Sequence, residues 1–380
     1  MGESFILNAE PTVGLYVHIP FCSVKCFYCD FAAFSGQKKT TRRYLAALEA
    51  EARLMPARLP ATLYIGGGTP SELEADETQE LFALIRRAYP DARFLETTFE
   101  ANPESLDAEK LAVLAASGVT RLSLGLQTAD AALLKSIGRR HSPEDFFRVY
   151  GLAKATKAFA LSVDLMYGLP GQTLEACLSS LDSVLALEPQ HLSLYGLQVE
   201  DRTLFAKRSV EPDEDLGREM FEACLDHIQA AGLIHYEISN FARPGHASRH
   251  NLAYWGDNEY IGLGCGAASY LDGLRSTNTE RLADYCRSIE EGRRPTADSE
   301  RVLGREKLGE QAFLGLRKIA GFIPGVKLEA EFDADWRALI SQGLVVRDGA
   351  RLRLSRQGIF LANEAFSRFV PPFQTTAEVK

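Results

Sequence analysis

Short apolar runs recur along the first half of the chain, each closed by a polar or glycine-rich turn and followed by a stretch of helical periodicity. The runs are GLYVHI, TLYIGGG, RFLETTFEANP, RLSLGLQ, LSVDLMYGLP and HLSLYGLQ. Each is short and favours a strand, so the rhythm is strand then helix, repeated. In SLDAEKLAVLAASG, Ser105 is the expected N-cap, the first turn is acidic, and Gly118 stands just past the end. Six such units predict an α/β fold, a parallel sheet curled into an open or partial (β/α)6 barrel. Chemistry in such barrels collects at the C-terminal ends of the strands, and most of the unusual residues fall there.

The rhythm changes after about Gly292. RVLGREKLGEQAFLGLRKIAG and FDADWRALISQG have helical spacing, and LVVRDGARLRLS predicts a hairpin turning at Asp348 and Gly349. We therefore expect a core over 1–297 and a small winged-helix-like C-terminal domain over 298–380.

Composition narrows the class. Hydrophobic residues at 46%, charged residues at 24% and a mean hydropathy of -0.12 are ordinary for a soluble protein, with no apolar run long enough to span a bilayer. Residues 1–11 lack the basic start and sustained apolar region of a secretory signal, which points to the cytoplasm. A net charge of -9 disfavours nucleic acid as the main ligand. Residues 301–380 carry 13 Lys and Arg against 9 Asp and Glu, without a basic cluster, so no nucleic-acid partner is expected there.

Three of the seven cysteines lie within HIPFCSVKCFYCDF. Cys22, Cys26 and Cys29 have the spacing C-x3-C-x2-C on a loop after the first strand, so three thiolates can face one small inorganic core. Structural zinc and ordinary iron–sulfur sites usually close with four protein ligands. Here the local set stops at three, and a four-iron cluster so held keeps one iron open to a small molecule. A zinc site completed by His18, or by Cys177, Cys224, Cys265 or Cys286, is the alternative.

With this motif at the end of the first strand, the chain resembles the radical S-adenosylmethionine superfamily. The resemblance implies a 4Fe-4S cluster on Cys22, Cys26 and Cys29, with S-adenosylmethionine on its open iron. It also implies a cofactor-binding set: Tyr16, Tyr28, Gly67, Gly68, Thr69, Glu100, Gln127, Arg139 and Asp164. Gly67, Gly68 and Thr69 form a turn whose backbone N–H groups can approach a ligand closely. Glu100, Gln127 and Asp164 are expected to end the third, fourth and fifth strands, where a carboxylate can accept ribose hydroxyls and an amide can bond sugar. Arg139 suits a carboxylate, as does its neighbour Arg140.

Nearly the whole chain is similar to the coproporphyrinogen dehydrogenase-like branch, which holds oxygen-independent coproporphyrinogen III oxidases and HemW-type haem chaperones. Oxidases carry one more cysteine, where this chain has Phe31, and a longer segment ahead of Tyr16. HNLAYW matches the chaperones' haem signature, which implies haem on His250, Asn251, Tyr254 and Trp255. His250 is the expected iron ligand, with His246 and Cys265 as rivals, and His250 and Tyr254 share a face if they lie on one helical turn. Ala268 departs from the family, which commonly has histidine there. The resemblance thus implies a haem chaperone that hands haem to apo-haemoproteins, contacts membranes only through a recipient, and leaves a homodimer open. The competing expectations are radical decarboxylation of coproporphyrinogen and a nucleic-acid-binding regulator.

Overall fold

The structure is a computed structural model describing residues 12–373, so the reading of residues 1–11 lies outside it. All six expected strands form: β1 Val13–Ile19, β2 Pro60–Gly67, β3 Glu96–Ala101, β4 Arg121–Gln127, β5 Ala160–Tyr167 and β6 His191–Gly196. They pair in this order, all parallel. Strand alternation divides their side chains between two faces. Leu15, Val17, Leu63, Ile65, Phe99, Leu122, Leu124, Val163 and Leu192 belong to the large apolar core. The residues between them are polar: Tyr16, Tyr64, Glu100, Arg121, Ser123, Asp164 and Ser193. One face therefore makes the core with the helices, and the other makes a polar lumen.

The sheet is wider than expected, with twelve strands among the described residues. Beyond β6 come antiparallel β7 Ile234–Glu237 and β8 Asn240–Ala242, in the order β6-β8-β7. On the other side β9 Tyr260–Leu263 pairs parallel with β1. It is followed outward by antiparallel β10 Ala268–Leu271, β11 Leu274–Asn278 and β12 Thr296–Arg301. The strand β9 escaped the sequence pattern because it has four residues, ends in the glycine-rich GLGCG and leads into no helix. The two edges of the order are different strands that do not meet, so the barrel is partial.

Two local expectations are corrected. The helix Ala108–Ala116 is capped by Asp107, whose carboxylate accepts from Lys110 N, and Ser105 instead ends a short 3-10 turn. Aspartate caps as well as serine does, and Pro103 starts the earlier turn. The hairpin pairs Asp348 with Arg351, so its loop residues are Gly349 and Ala350.

The strand β12 carries the chain past residue 297 while still in the sheet. The helix Gly304–Arg317 follows, then the helix Asp333–Ser341 and the hairpin Val345–Asp348 with Arg351–Leu354. A second core of Ala312, Leu316, Phe332, Trp336, Leu352 and Phe369 unites them. This unit is tied to the barrel: Ile238 N donates to Arg317 O, Ile319 N donates to Tyr236 O, and Gln311 Nε2 donates to Asp257. Among the described residues no helix is long and apolar enough to cross a membrane.

Candidate functional site: two cavities with a common wall

The cysteine loop leaves β1 and is pinned from three sides. Phe34 N donates to Pro20 O, Phe27 N to Ile137 O, and Phe205 N to Phe27 O. Cys22, Cys26 and Cys29 then line one cavity of 370 Å³ with Tyr28, Gly67, Gly68, Thr69, Glu100, Gln127, Arg139 and Asp164. Burial pushes the Cys22 thiol up to about 11, with Cys29 and Cys26 adding to the rise, and pushes Cys29 up as well. Buried thiols that oppose one another's ionisation fit a multiply charged inorganic core, which would relieve that cost. The zinc alternative loses its fourth ligand. Both ring nitrogens of His18 are engaged, by Tyr16 Oη at 2.9 Å and Ala32 O at 2.8 Å. The other four cysteines are buried elsewhere, Cys177 beside Cys224 at 3.7 Å and Cys265 donating to Thr279 O.

The glycine-rich turn works by close approach. Gly67 has φ of +120°, and a Cβ on Gly68 would lie 2.8 Å from Phe21 O and 3.0 Å from Cys22 Sγ. Its N–H groups, expected to face a ligand, are instead spent within the protein: Gly68 N donates to Ile19 O and Gly67 N to Glu100 Oε2. The smallest residue thus lets the turn touch the thiol directly.

From Cys22 a polar chain runs along the rim. The Sγ atom is 3.3 Å from Thr69 Oγ1, Asn102 Nδ2 donates to Thr69 Oγ1, and Arg139 donates to Asn102 Oδ1 at 2.8 Å. Arg139 keeps a buried Nε without a partner, so its guanidinium has donor capacity left, whereas Arg140 is exposed at the same cavity. Across the lumen Ser123 Oγ donates to Asp164, and burial raises that carboxyl. The Gln127 backbone adopts a left-handed φ of 71°. Burial also pushes the Glu100 carboxyl up to about 7, against the hydroxyl bond from Tyr64. If Glu100 accepts ribose hydroxyls as a carboxylate, ligand affinity falls as pH drops below about 7, approaching on the order of tenfold per pH unit. Glu100→Gln should flatten that dependence, and calorimetry between pH 6 and 8 measures it. An equally steep profile in the variant would remove Glu100 from the ribose role.

Tyr16 faces elsewhere. It lines a second cavity of 480 Å³, with Tyr64, His250, Asn251, Tyr254, Trp255, Tyr260 and Ala268. The helix Arg249–Trp255 that carries HNLAYW is seated by Glu96, whose carboxylate accepts from Ser248 Oγ, Arg249 N and His250 N. His250 is 1% exposed. Its Nδ1 is 2.8 Å from Thr62 Oγ1 and its Nε2 is 3.0 Å from Tyr254 Oη. His250 and Tyr254 do share a helical face, and they use it to bond each other. Burial lowers the imidazole to about 3 and raises the Tyr254 hydroxyl, so both stay uncharged. Asn251 has no side-chain hydrogen bond among the described residues and lines both cavities. The C-terminal helix supplies Glu310, Phe313 and Leu314, and Arg317 lies 4.3 Å over the Trp255 ring. Of the rival ligands, His246 is exposed outside the cavity and Cys265 is buried away from it.

The sequence pattern missed Tyr64, Glu96, Asn102 and Arg121. Asn102, two residues after Glu100 at a strand end, was visible by position. Tyr64 and Glu96 read as ordinary strand residues, and Arg121, 5% exposed with an unpartnered Nε, reads from sequence as a surface charge at a strand start.

A profile described as the Radical SAM superfamily matches residues 16–184. The chain is 38% identical over 372 residues to heme chaperone HemW of Bacillus subtilis (strain 168), which covers 93% of this chain and 98% of that protein. It is 37% identical to heme chaperone HemW of Lactococcus lactis subsp. lactis (strain IL1403), over 93% of this chain and 96% of that one. Among solved structures it is similar to coproporphyrinogen III oxidase HemN from Escherichia coli, a radical SAM enzyme. The TM-score is 0.82 at 24% identity, over 96% of this chain and 91% of the other, a likeness of fold.

Proposed function

Because the chain belongs to the HemW family of the radical SAM superfamily, we propose that it holds haem in the aromatic cavity and hands it to apo-haemoproteins in the cytoplasm. The observation that carries this reading is the aromatic cavity itself, whose one imidazole is held neutral beside four tyrosines and a tryptophan. A neutral imidazole is the form that ligates haem iron, and aromatic rings cover porphyrin surface while excluding water. The Tyr254 hydroxyl, kept protonated by burial, is the weaker donor. His250 is therefore the proposed ligand, through Nε2 once the Tyr254 hydroxyl moves aside. Asn251 and Arg275 would meet propionates, Arg275 by exchanging its pairing with Glu300 and Glu310.

In the thiol cavity Cys22, Cys26 and Cys29 would hold the 4Fe-4S cluster, with S-adenosylmethionine beside it. Such a cluster supplies an electron and an open coordination position. The chain's own residues do the rest: Arg139 offers its spare donor to the methionine carboxylate, Glu100 and Asp164 accept from the sugar, and Tyr28 closes the rim. The C-terminal unit from about residue 298 serves as the outer wall of the haem cavity, which gives it a role without nucleic acid.

Spectrophotometric titration of the anaerobically reconstituted protein with ferric haem tests the reading, and a saturable Soret band of one haem per chain is the expected result. The oxidase alternative is tested alongside. Phe31, 66% exposed at the cavity mouth, stands where oxidases carry their extra cysteine. Coproporphyrinogen III incubated with the loaded protein, S-adenosylmethionine and a reductant should stay unconverted. Protoporphyrinogen above a cluster-free control, read by chromatography, would restore the enzyme.

A further inference from the structure

Tyr64 lines both cavities at once, and among the described residues only Asn251 does the same. On the aromatic side its ring leans on the His250 ring, with centroids 5.1 Å apart at 30°, and its centroid lies 6.1 Å from that of Tyr16. On the thiol side its hydroxyl donates to Glu100 Oε1 at 2.5 Å. An unbroken line of contacts thus runs from Glu100 through Tyr64 and His250 to Tyr254. We infer that Tyr64 couples the two cavities, so that S-adenosylmethionine in the thiol cavity tightens haem binding in the aromatic cavity. The inference rests on the occupants proposed above.

The physical link is the state of one hydrogen bond. A phenol donating to a carboxylate makes a charge-assisted bond roughly twice as strong as one to a neutral carboxyl. Around Glu100 stand Gly67 N, which donates to it, Asp164, whose charge opposes its ionisation, and Arg121, whose charge favours it. A sulfonium cation and ribose hydroxyls entering this cavity add to the side that favours the carboxylate. Tyr64 is then held harder, its ring is fixed against His250, and the wall that a macrocycle must meet is ordered before haem arrives. An ordering cost met by the first ligand need not be met again by the second. By linkage, haem must tighten S-adenosylmethionine by the same factor.

The test is a pair of titrations on the cluster-loaded protein under anaerobic conditions. The dissociation constant for ferric haem is read from the Soret band with and without saturating S-adenosylmethionine. That for S-adenosylmethionine is read by calorimetry with and without haem. Both ratios should agree at roughly fivefold or more. Tyr64→Phe keeps the ring and removes the hydroxyl, and its ratio should fall to about one. Because the ratio is taken within each variant, a change in either affinity alone does not mimic the result. Glu100→Gln removes the charge and should collapse the ratio in the same way, which decides the matter should Tyr64→Phe fail to fold. A ratio of one in the unsubstituted protein, or an unchanged ratio in both variants, overturns the coupling while leaving the two occupants in place. Failure of the unsubstituted protein to bind one of the ligands overturns the occupants, and the coupling with them.

Discussion

The variant with alanine at Cys22, Cys26 and Cys29 together is expected to carry no iron or sulfide after anaerobic reconstitution. The three thiols face one cavity, burial raises two of them, both ring nitrogens of His18 are engaged, and the other four cysteines are buried outside that cavity. A substitute ligand set is therefore absent among the described residues. Single replacements should be nearly as severe, because two thiolates leave a second iron of the cube without a protein ligand. S-adenosylmethionine binding should fall with the metal, since the proposed anchor on the open iron is lost and only the proposed protein contacts of Glu100 and Arg139 remain. Iron and acid-labile sulfide assays, with calorimetry, read both effects. Full iron and sulfide loading in the triple variant would refute the assignment outright.

His250→Ala should lose most of the Soret absorbance that the unsubstituted protein gains with haem. Within the aromatic cavity the candidates for iron are one imidazole and several phenols, and burial keeps the Tyr254 phenol protonated. Tyr254→Phe separates the two, because it frees the Nε2 now bonded at 3.0 Å and should keep or strengthen the band. His246→Ala, altering an exposed side chain outside the cavity, should leave the titration as it was. A normal band in His250→Ala with a lost band in Tyr254→Phe would move the ligand to the tyrosine.

Much of this site was legible because the chemistry sits at strand ends, where a break in the apolar alternation shows. Cys22, Gly67, Gly68, Glu100 and Gln127 each interrupt such a run, and the lumen collects them. Asp164 lies within its strand, yet a carboxylate between Val163 and Leu165 still stands out. What stayed hidden depends on which face a strand residue takes. Tyr16 was expected beside the cysteines, but it lies three positions before the end of its strand, six before Cys22, and opens toward the other cavity. Tyr64 and Glu96 carry no anomaly in sequence, since aromatic and acidic residues occur on strands for many reasons. The partnership of His250 with Thr62 and Tyr254 was equally invisible, because Thr62 is 188 positions away. Ser105 and Asp107 could each cap a helix, and only the path of the chain after Pro103 decides between them.

The C-terminal helix Gly304–Arg317 closes the aromatic cavity with Glu310, Phe313 and Leu314, while the barrel supplies the rest. For haem held there as proposed, release requires that helix to lift, so its hold on the barrel adds to residence time beside the coupling from the thiol cavity. Its ties to the barrel include Lys307 and Gln311 on Asp257, Glu310 on Arg275, the Arg317 stack on Trp255, and two backbone bonds at Ile238 and Ile319. An acceptor that competed for Asp257 or wedged against Trp255 would act as a key, speeding release without reaching the iron.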